Sequence, residues 1–292
     1  MFNASPEPLV LDGGLATELE RRGYSLGGGL WSARALLDAP ELLREVHASY
    51  VAAGADLITT ASYQLSREAL ERAGISAAEV PGLFVRSREL AQEAAAASAR
   101  GPRVLLSLGP YGAFRADRSE YHGDYGVSAE LIRDHWRRRL CDALLAGADG
   151  LAFETVPSLA EAELIARALE EAGAALGGAM LCFSAKDERH TSAGDPIGGA
   201  ISTVAAAGFG AVGINCTSPT WALALARASR RSAPSARLVV YPGAGTGWGP
   251  EALEAGVSVV GGCCGTGPEL TKELRQAVDG YSTLLAVRPP GR

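Results

Sequence analysis

Four times along the chain the same pattern recurs: an Ala/Leu/Glu/Arg-rich segment closes on alanine and glycine, and a short apolar run follows. Ala53-Gly54-Ala55-Asp56 leads into Leu57-Ile58-Thr59-Thr60, and Ala146-Gly147-Ala148-Asp149 leads into Gly150-Leu151-Ala152-Phe153-Glu154. Ala207-Gly208-Phe209-Gly210 precedes Ala211-Val212-Gly213-Ile214-Asn215, and Ala255-Gly256-Val257 precedes Ser258-Val259-Val260. A glycine just past a helical segment is a C-cap, and the β-branched run after it reads as a buried strand. Repeated helix–strand units put the strands parallel, because each strand is separated from the next by a crossover. Eight candidate strands emerge, at 9–14, 56–62, 103–109, 150–156, 178–184, 211–216, 237–241 and 257–262. Helical apolar spacing fills 41–53, 128–146, 158–172, 197–207 and 269–278 between them. Eight such units fit a closed (β/α)8 barrel of the TIM type at this length. The expectation is an α/β fold with residues 1–292 as one domain; an open doubly wound sheet is the alternative.

Composition narrows the partners. Of 292 residues, 47% are hydrophobic and 21% charged, which suits a soluble protein with a large core. A net charge of -6 argues against a general binder of nucleic acid or anionic membrane. No run approaches the length needed to span a bilayer. No basic segment followed by an apolar one opens the chain, so no signal peptide is expected. Five cysteines make a poor disulfide framework, and the expected compartment is the reducing cytoplasm. There the adjacent pair Cys263-Cys264 is better explained by a metal than by bridging.

In barrels of this kind the active site gathers at the C-terminal ends of the strands. Those positions read Asp12-Gly13-Gly14, Thr60-Ala61-Ser62-Tyr63, Glu154-Thr155, Ser184, Asn215-Cys216 and Gly261-Gly262-Cys263-Cys264. Cys216, Cys263 and Cys264 are candidate ligands of one soft ion. Zinc on three protein ligands keeps a fourth position open, which is the catalytic rather than the structural arrangement. Asp12 and Glu154 can hold an amino group, and the glycines after Asp12 allow backbone N–H groups to approach a ligand carboxylate. Thr60, Tyr63 and Asn215 are candidate substrate contacts from the same ring of positions. Cys141 and Cys182 are read as small core hydrophobes. His47, His122, His135 and His190 show no metal-binding spacing and read as surface or packing residues. Gly27-Gly28-Gly29 has no preceding strand and no lysine, so it is not a phosphate loop. Segment 66–100 has room for an extra helix, 111–127 reads as a loop able to cover a substrate, and 288–292 reads as a frayed tail.

Taken together, Asp12-Gly13-Gly14 with Thr17-Glu18-Leu19, Leu30-Trp31-Ser32, Gly213-Ile214-Asn215-Cys216 and Gly261-Gly262-Cys263-Cys264 resemble the homocysteine S-methyltransferase family. Gly109-Pro110-Tyr111-Gly112-Ala113, Glu120-Tyr121 with Gly123-Asp124-Tyr125, and Tyr241-Pro242 are most similar to the branch that uses S-methylmethionine or S-adenosylmethionine. The resemblance implies a (β/α)8 barrel with Zn2+ on thiolates matching Cys216, Cys263 and Cys264. It implies that homocysteine takes the open zinc position through sulfur, its amino group on Asp12 and Glu154 and its carboxylate near Gly13 and Gly14. Methyl transfer from a sulfonium donor then gives methionine. Aromatic faces can hold a sulfonium by cation–π contact, and Tyr111, Tyr121, Tyr125 and Trp248 are the candidates.

Where the family usually continues Tyr-Pro-Asn-Ser-Gly-Glu, this chain reads Tyr241-Pro242-Gly243-Ala244-Gly245-Thr246, and the following 247–256 connection is short. The expectation is that these departures act on donor or acceptor choice rather than on the metal. Betaine as donor, another thiol or selenol as acceptor, and a non-catalytic zinc-thiolate protein that binds a thiol amino acid are the competing readings. The chain lacks the extra length typical of betaine users.

Overall fold

Each glycine that ends the repeated pattern has a positive φ: 101° at Gly54, 68° at Gly147, 105° at Gly208 and 83° at Gly256. That left-handed turn costs glycine little and drops the chain from helix into strand. The aspartates of the repeat have a second use. Asp56 accepts from Val10 N (2.9 Å) and Asp149 from Val104 N (2.8 Å), so each satisfies a backbone donor at the start of the neighbouring strand.

The computed structural model describes residue 2, residues 7–27 and residues 30–287; Gly28, Gly29 and the tail 288–292 lie outside them. Its strands are β1 (Leu9–Val10), β2 (Leu57–Thr59), β3 (Arg103–Leu108), β4 (Gly150–Val156), β5 (Ala179–Phe183), β6 (Ala211–Asn215), β7 (Leu238–Tyr241) and β8 (Val259–Val260). The helices are α1 (Leu15–Arg21), α2 (Trp31–Asp38), α3 (Pro40–Ala52), α4 (Arg67–Arg72), α5 (Val80–Ala96), α6 (Ala129–Leu144), α7 (Leu159–Glu171), α8 (Ile197–Ala207), α9 (Pro219–Ser232), α10 (Gly249–Glu254) and α11 (Pro268–Val287). Serines at 66, 128, 158 and 218 cap α4, α6, α7 and α9 by accepting from a backbone N–H in the first turn.

All strand pairs are parallel, in the order β1-β8-β7-β6-β5-β4-β3-β2. A parallel bridge between Leu11 and Leu57, with Asp12 N donating to Leu57 O at 3.0 Å, spans the remaining gap between β1 and β2. The result is the expected (β/α)8 barrel. Leu57, Leu105, Met180, Cys182 and Val239 fill its interior, and Phe2 packs with them. A second layer between strands and helices buries Val46, Trp136, Ile165, Leu169 and Leu225, each contributing about 1.5–3 kcal/mol.

Several strands are shorter than expected, because the ends predicted as strand are the loops that carry the chemistry. Segment 66–100 holds two helices, α4 and α5, rather than one, and 247–256 holds only the short α10. Cys141 is exposed on the outer side of α6, which corrects its reading as a core residue; Cys182 is buried in the barrel as expected. His47 and His135 are buried packing residues. Among the described residues, no helix is long and apolar enough to cross a membrane.

β4 carries an irregularity that matters for the site. Phe153 pairs with Leu181 and Val156 with Phe183, so three steps along β4 match two along β5. This bulge falls on Glu154 and Thr155, and bulges re-aim side chains beside active sites.

Candidate active site and metal centre

One cavity opens at the C-terminal ends of the strands. Its wall includes Asp12, Gly13 and Gly14 beyond β1, Thr60 and Tyr63 beyond β2, and Ser107 on β3. Glu154 and Thr155 on β4, Asn215 and Cys216 at the end of β6, Tyr241 on β7, and Cys263 and Cys264 beyond β8 complete it. The candidate metal ligands Cys216, Cys263 and Cys264 and the candidate substrate contacts Asp12, Gly13, Gly14, Thr60, Tyr63, Glu154 and Asn215 therefore lie on one surface, while Ser184 does not line it.

The three thiols converge. The sulfurs of Cys216, Cys263 and Cys264 lie within 4.8 Å of one another, with Cys216 Sγ and Cys264 Sγ 3.6 Å apart. Sulfurs held about 2.3 Å from a tetrahedral ion stand about 3.8 Å apart, so the set fits such an ion with little adjustment. It is the only group of this kind among the described residues. Hydrogen bonds from Cys216 and Cys263 push the Cys264 thiol down to about 3, while its bond to Cys216 pushes Cys263 up. The three sulfurs titrate against one another, and a bound cation would let all three ionise. The cluster's place is set by backbone: Cys216 is left-handed (φ 52°), and a Cβ on Gly213 would fall 1.9 Å from Val239 O, so β6 can approach β7 only with glycine there.

The two carboxylates are held differently. Asp12 accepts from Thr59 N at 2.7 Å and from the Thr59 hydroxyl at 3.2 Å, and burial pushes its pKa well up despite those bonds. Glu154 accepts from the Ser107 hydroxyl on one oxygen and from the Tyr241 hydroxyl at 3.0 Å on the other; burial pushes it up to about 6. Thr59 and Ser107 were not among the residues singled out in the sequence, and Tyr241 entered only through its Tyr241-Pro242 motif, with no role assigned to its side chain. For Thr59 and Ser107 the signal was available, since each sits one strand over from a carboxylate; Tyr241, on β7, reaches Glu154 on β4 from across the barrel mouth. Among the described lining residues there is no lysine, arginine or histidine. The cavity is therefore acidic and favours a cationic ligand.

Gly13 and Gly14 are tightly enclosed. A Cβ on Gly13 would meet the Tyr50 ring at 2.8 Å, and one on Gly14 would meet Cys263 O at 2.6 Å. Gly14 N already donates to Thr266 Oγ1 at 3.2 Å. Thr60 Oγ1 contacts Ser62 Oγ at 2.7 Å and accepts from Ser107 N at 3.1 Å, joining the ends of β2 and β3.

Asn215 is fully buried, and its amide is engaged with protein. Oδ1 accepts from Thr155 N at 2.8 Å, while Nδ2 donates to Thr155 Oγ1 at 3.0 Å and lies 3.9 Å from Cys263 Sγ. Thr155 has φ 62°, a left-handed conformation that a β-branched residue avoids and that costs about 1–3 kcal/mol. The paired bonds from Asn215 hold it there.

Of the four aromatics considered for a sulfonium, only Tyr121 lines the cavity. Its hydroxyl is 3.3 Å from Cys216 Sγ and the residue is 40% exposed, so it stands between the sulfurs and solvent. Tyr111 and Tyr125 are buried among Phe114, His135 and Trp136, and Trp248 is buried under α10; packing claimed these rings. Segment 111–127 therefore covers the site through its Ser119–Tyr121 turn. Arg139, buried on α6, donates to the carbonyls of Leu65 (2.7 Å), Tyr63 (2.6 Å) and Gly109 and pins the turn that carries Tyr63. The departing stretch 243–247 lines no part of the cavity; Gly243 abuts the Cys264 loop, where a Cβ would meet Cys264 O at 3.5 Å.

Comparison with known proteins agrees with this geometry. A model of the family described as homocysteine S-methyltransferase matches residues 9–278. Homocysteine S-methyltransferase 4 of Zea mays is 39% identical, over 92% of this chain and 89% of its own length. Selenocysteine Se-methyltransferase of Brassica oleracea var. italica is 37% identical, over 91% and 88%. The crystal structure of the homocysteine methyltransferase MmuM from Escherichia coli in its metallated form superposes with a TM-score of 0.86 at 38% identity, covering 93% of this chain and 96% of that one.

Proposed function

This chain belongs to the homocysteine S-methyltransferase family, and from that premise we propose that it transfers a methyl group from a sulfonium donor to homocysteine, with Zn2+ on Cys216, Cys263 and Cys264. The observation that carries the reading is the convergence of three thiols and two carboxylates on one acidic cavity. Bound zinc would supply a fourth coordination position at which a thiol is ionised at neutral pH.

The remaining work belongs to the chain's own residues. Asp12 and Glu154 receive the acceptor's ammonium, Asp12 oriented by Thr59 on the neighbouring β2, and Glu154 by Ser107 on the neighbouring β3 and by Tyr241 from across the barrel. Gly13 and Gly14 line the wall for its carboxylate, and Thr60 and Tyr63 line the β2 side. The acceptor sulfur attacks the methyl carbon, the donor's carbon–sulfur bond breaks, and a neutral thioether leaves. A carboxylate-lined cavity without a basic side chain suits a donor that enters as a cation. Tyr121, at the solvent side of the sulfurs, is placed to face it.

S-methylmethionine and S-adenosylmethionine are the donors the reading favours. The test is methionine formation by the zinc-loaded protein with S-methylmethionine, S-adenosylmethionine or betaine, each offered with homocysteine and then with a selenol acceptor. Turnover with either sulfonium compound and homocysteine supports the proposal. Turnover with betaine alone, or homocysteine binding with no turnover on any donor, overturns it.

A further inference from the structure

Two non-glycine residues in the cavity wall are left-handed, Thr155 (φ 62°) and Cys216 (φ 52°), and they sit on strands that are not neighbours. Thr155 directly follows Glu154, and Cys216 directly follows Asn215. The Asn215 amide reaches over the end of β5 and grips Thr155 at both its N–H (2.8 Å) and its hydroxyl (3.0 Å). One double hydrogen bond therefore joins the arm that carries a carboxylate to the arm that carries a thiol. The same amide leans on Cys263 Sγ at 3.9 Å. Both ends of the Asn215 amide are engaged with protein, Oδ1 with Thr155 N and Nδ2 with Thr155 Oγ1 and Cys263 Sγ, so the side chain serves first to position its neighbours.

We propose that this Asn215–Thr155 bridge is a ruler: it fixes the separation between the ammonium site at Glu154 and the sulfur site at Cys216, and so selects the four-carbon amino thiol over its three-carbon analogue. The inference rests on the acceptor reading above and adds to it a specificity-determining pair. An acceptor bound at both ends must match the gap between them. One methylene too few leaves either the ammonium or the sulfur unheld when the arms cannot approach. The bulge on β4 interrupts the ladder to β5 at Glu154 and Thr155, and the bridge to Asn215 ties the chain down at that interruption. Holding a β-branched residue left-handed is the sign that the position is imposed rather than relaxed.

The test compares homocysteine with cysteine in the parent, Thr155→Gly, Asn215→Ala and Thr155→Ser. Thr155→Gly frees the backbone and removes one bond; Asn215→Ala opens the bridge from the β6 side if the glycine variant does not fold. Two quantities are read: the ratio of kcat/KM for the two acceptors, and the ratio of their apparent affinities from the thiolate-to-metal band of the Co2+-substituted protein. One methylene is worth about 10–200-fold in a fitted site, so opening the bridge is expected to cut both ratios at least about tenfold. Thr155→Ser, which keeps the hydroxyl, is expected to hold the parent's ratios. Equal losses for both acceptors, with the ratios unchanged, overturn the ruler and leave the bridge a structural element. A parent whose band is unmoved by homocysteine overturns the acceptor reading itself, a distinguishable failure.

Discussion

Glu154, half-buried at the end of β4, and Glu161, buried in the first turn of the following α7, face opposite sides of the barrel wall. Glu161 sits in a closed network. Its oxygens accept from Tyr111 N (2.6 Å), Trp136 Nε1 (3.0 Å) and the Tyr125 hydroxyl (2.5 Å), so three donors from three elements end on one side chain. Glu154 has one hydroxyl on each oxygen and an open cavity in front of it. Burial pushes both carboxyls up. The difference is what remains unspent: Glu161 has its hydrogen bonding used by protein and stabilises the fold, while Glu154 keeps capacity for a ligand. A buried charge is therefore not by itself a functional sign; an unfilled coordination sphere facing a cavity is.

The sharpest way to break this comparison is to remove each carboxylate in turn. Glu161→Ala strands three buried donors and leaves a cavity, so a loss of about 4 kcal/mol or more is expected in denaturant or thermal unfolding. A loss below about 1 kcal/mol would mean that the network contributes little. Glu154→Gln is expected to do the opposite: kcat/KM for homocysteine falls roughly 10²–10³-fold for want of a charged partner, while the fold gains.

That gain has a defined pH window. The folded pKa of about 6 lies above the ordinary value of 4.5, so the ionised group costs stability above pH 6 and nothing below about 4.5. Because the side chain is only half-buried, the gain at neutral pH is about 1–2 kcal/mol, and it disappears in acid. A destabilised Glu154→Gln protein at pH 8 would contradict the comparison. The smallest effect is on binding: protonation of Glu154 below about 6 should weaken homocysteine affinity, and the pH slope should become shallower in Glu154→Gln while the part due to Asp12 and thiol ionisation remains. KM measured at constant metal content reads it directly.

Much of this was legible from the sequence because the barrel repeats. The alanine–glycine ends of the helices, the aspartates at strand starts and the apolar runs each follow from local physics and recur until the fold is fixed. The thiols and carboxylates were legible for the same reason, since strand ends share one face. What was not legible came from side chains meeting across elements. Tyr111 and Tyr125 read as cavity aromatics, but Glu161 and His135 draw them into the wall. Asn215 lines the cavity as the sequence suggested, but its pairing with Thr155, a partner 60 positions away, could not be read from spacing. Arg139 was not singled out in the sequence, and only the folded chain shows it buried and donating to the carbonyls of Tyr63, Leu65 and Gly109. Position in a repeat can be read from spacing; the choice of partner cannot.

The account stands or falls on the three sulfurs acting together on a metal. Zinc per chain should be measured in protein purified under reducing conditions without chelator, in parallel for the parent and Cys263→Ser, alongside methionine formation. Close to one zinc per parent chain, with zinc and turnover lost together in Cys263→Ser, is the predicted result. A Cys263→Ser protein that still makes methionine without zinc would contradict it.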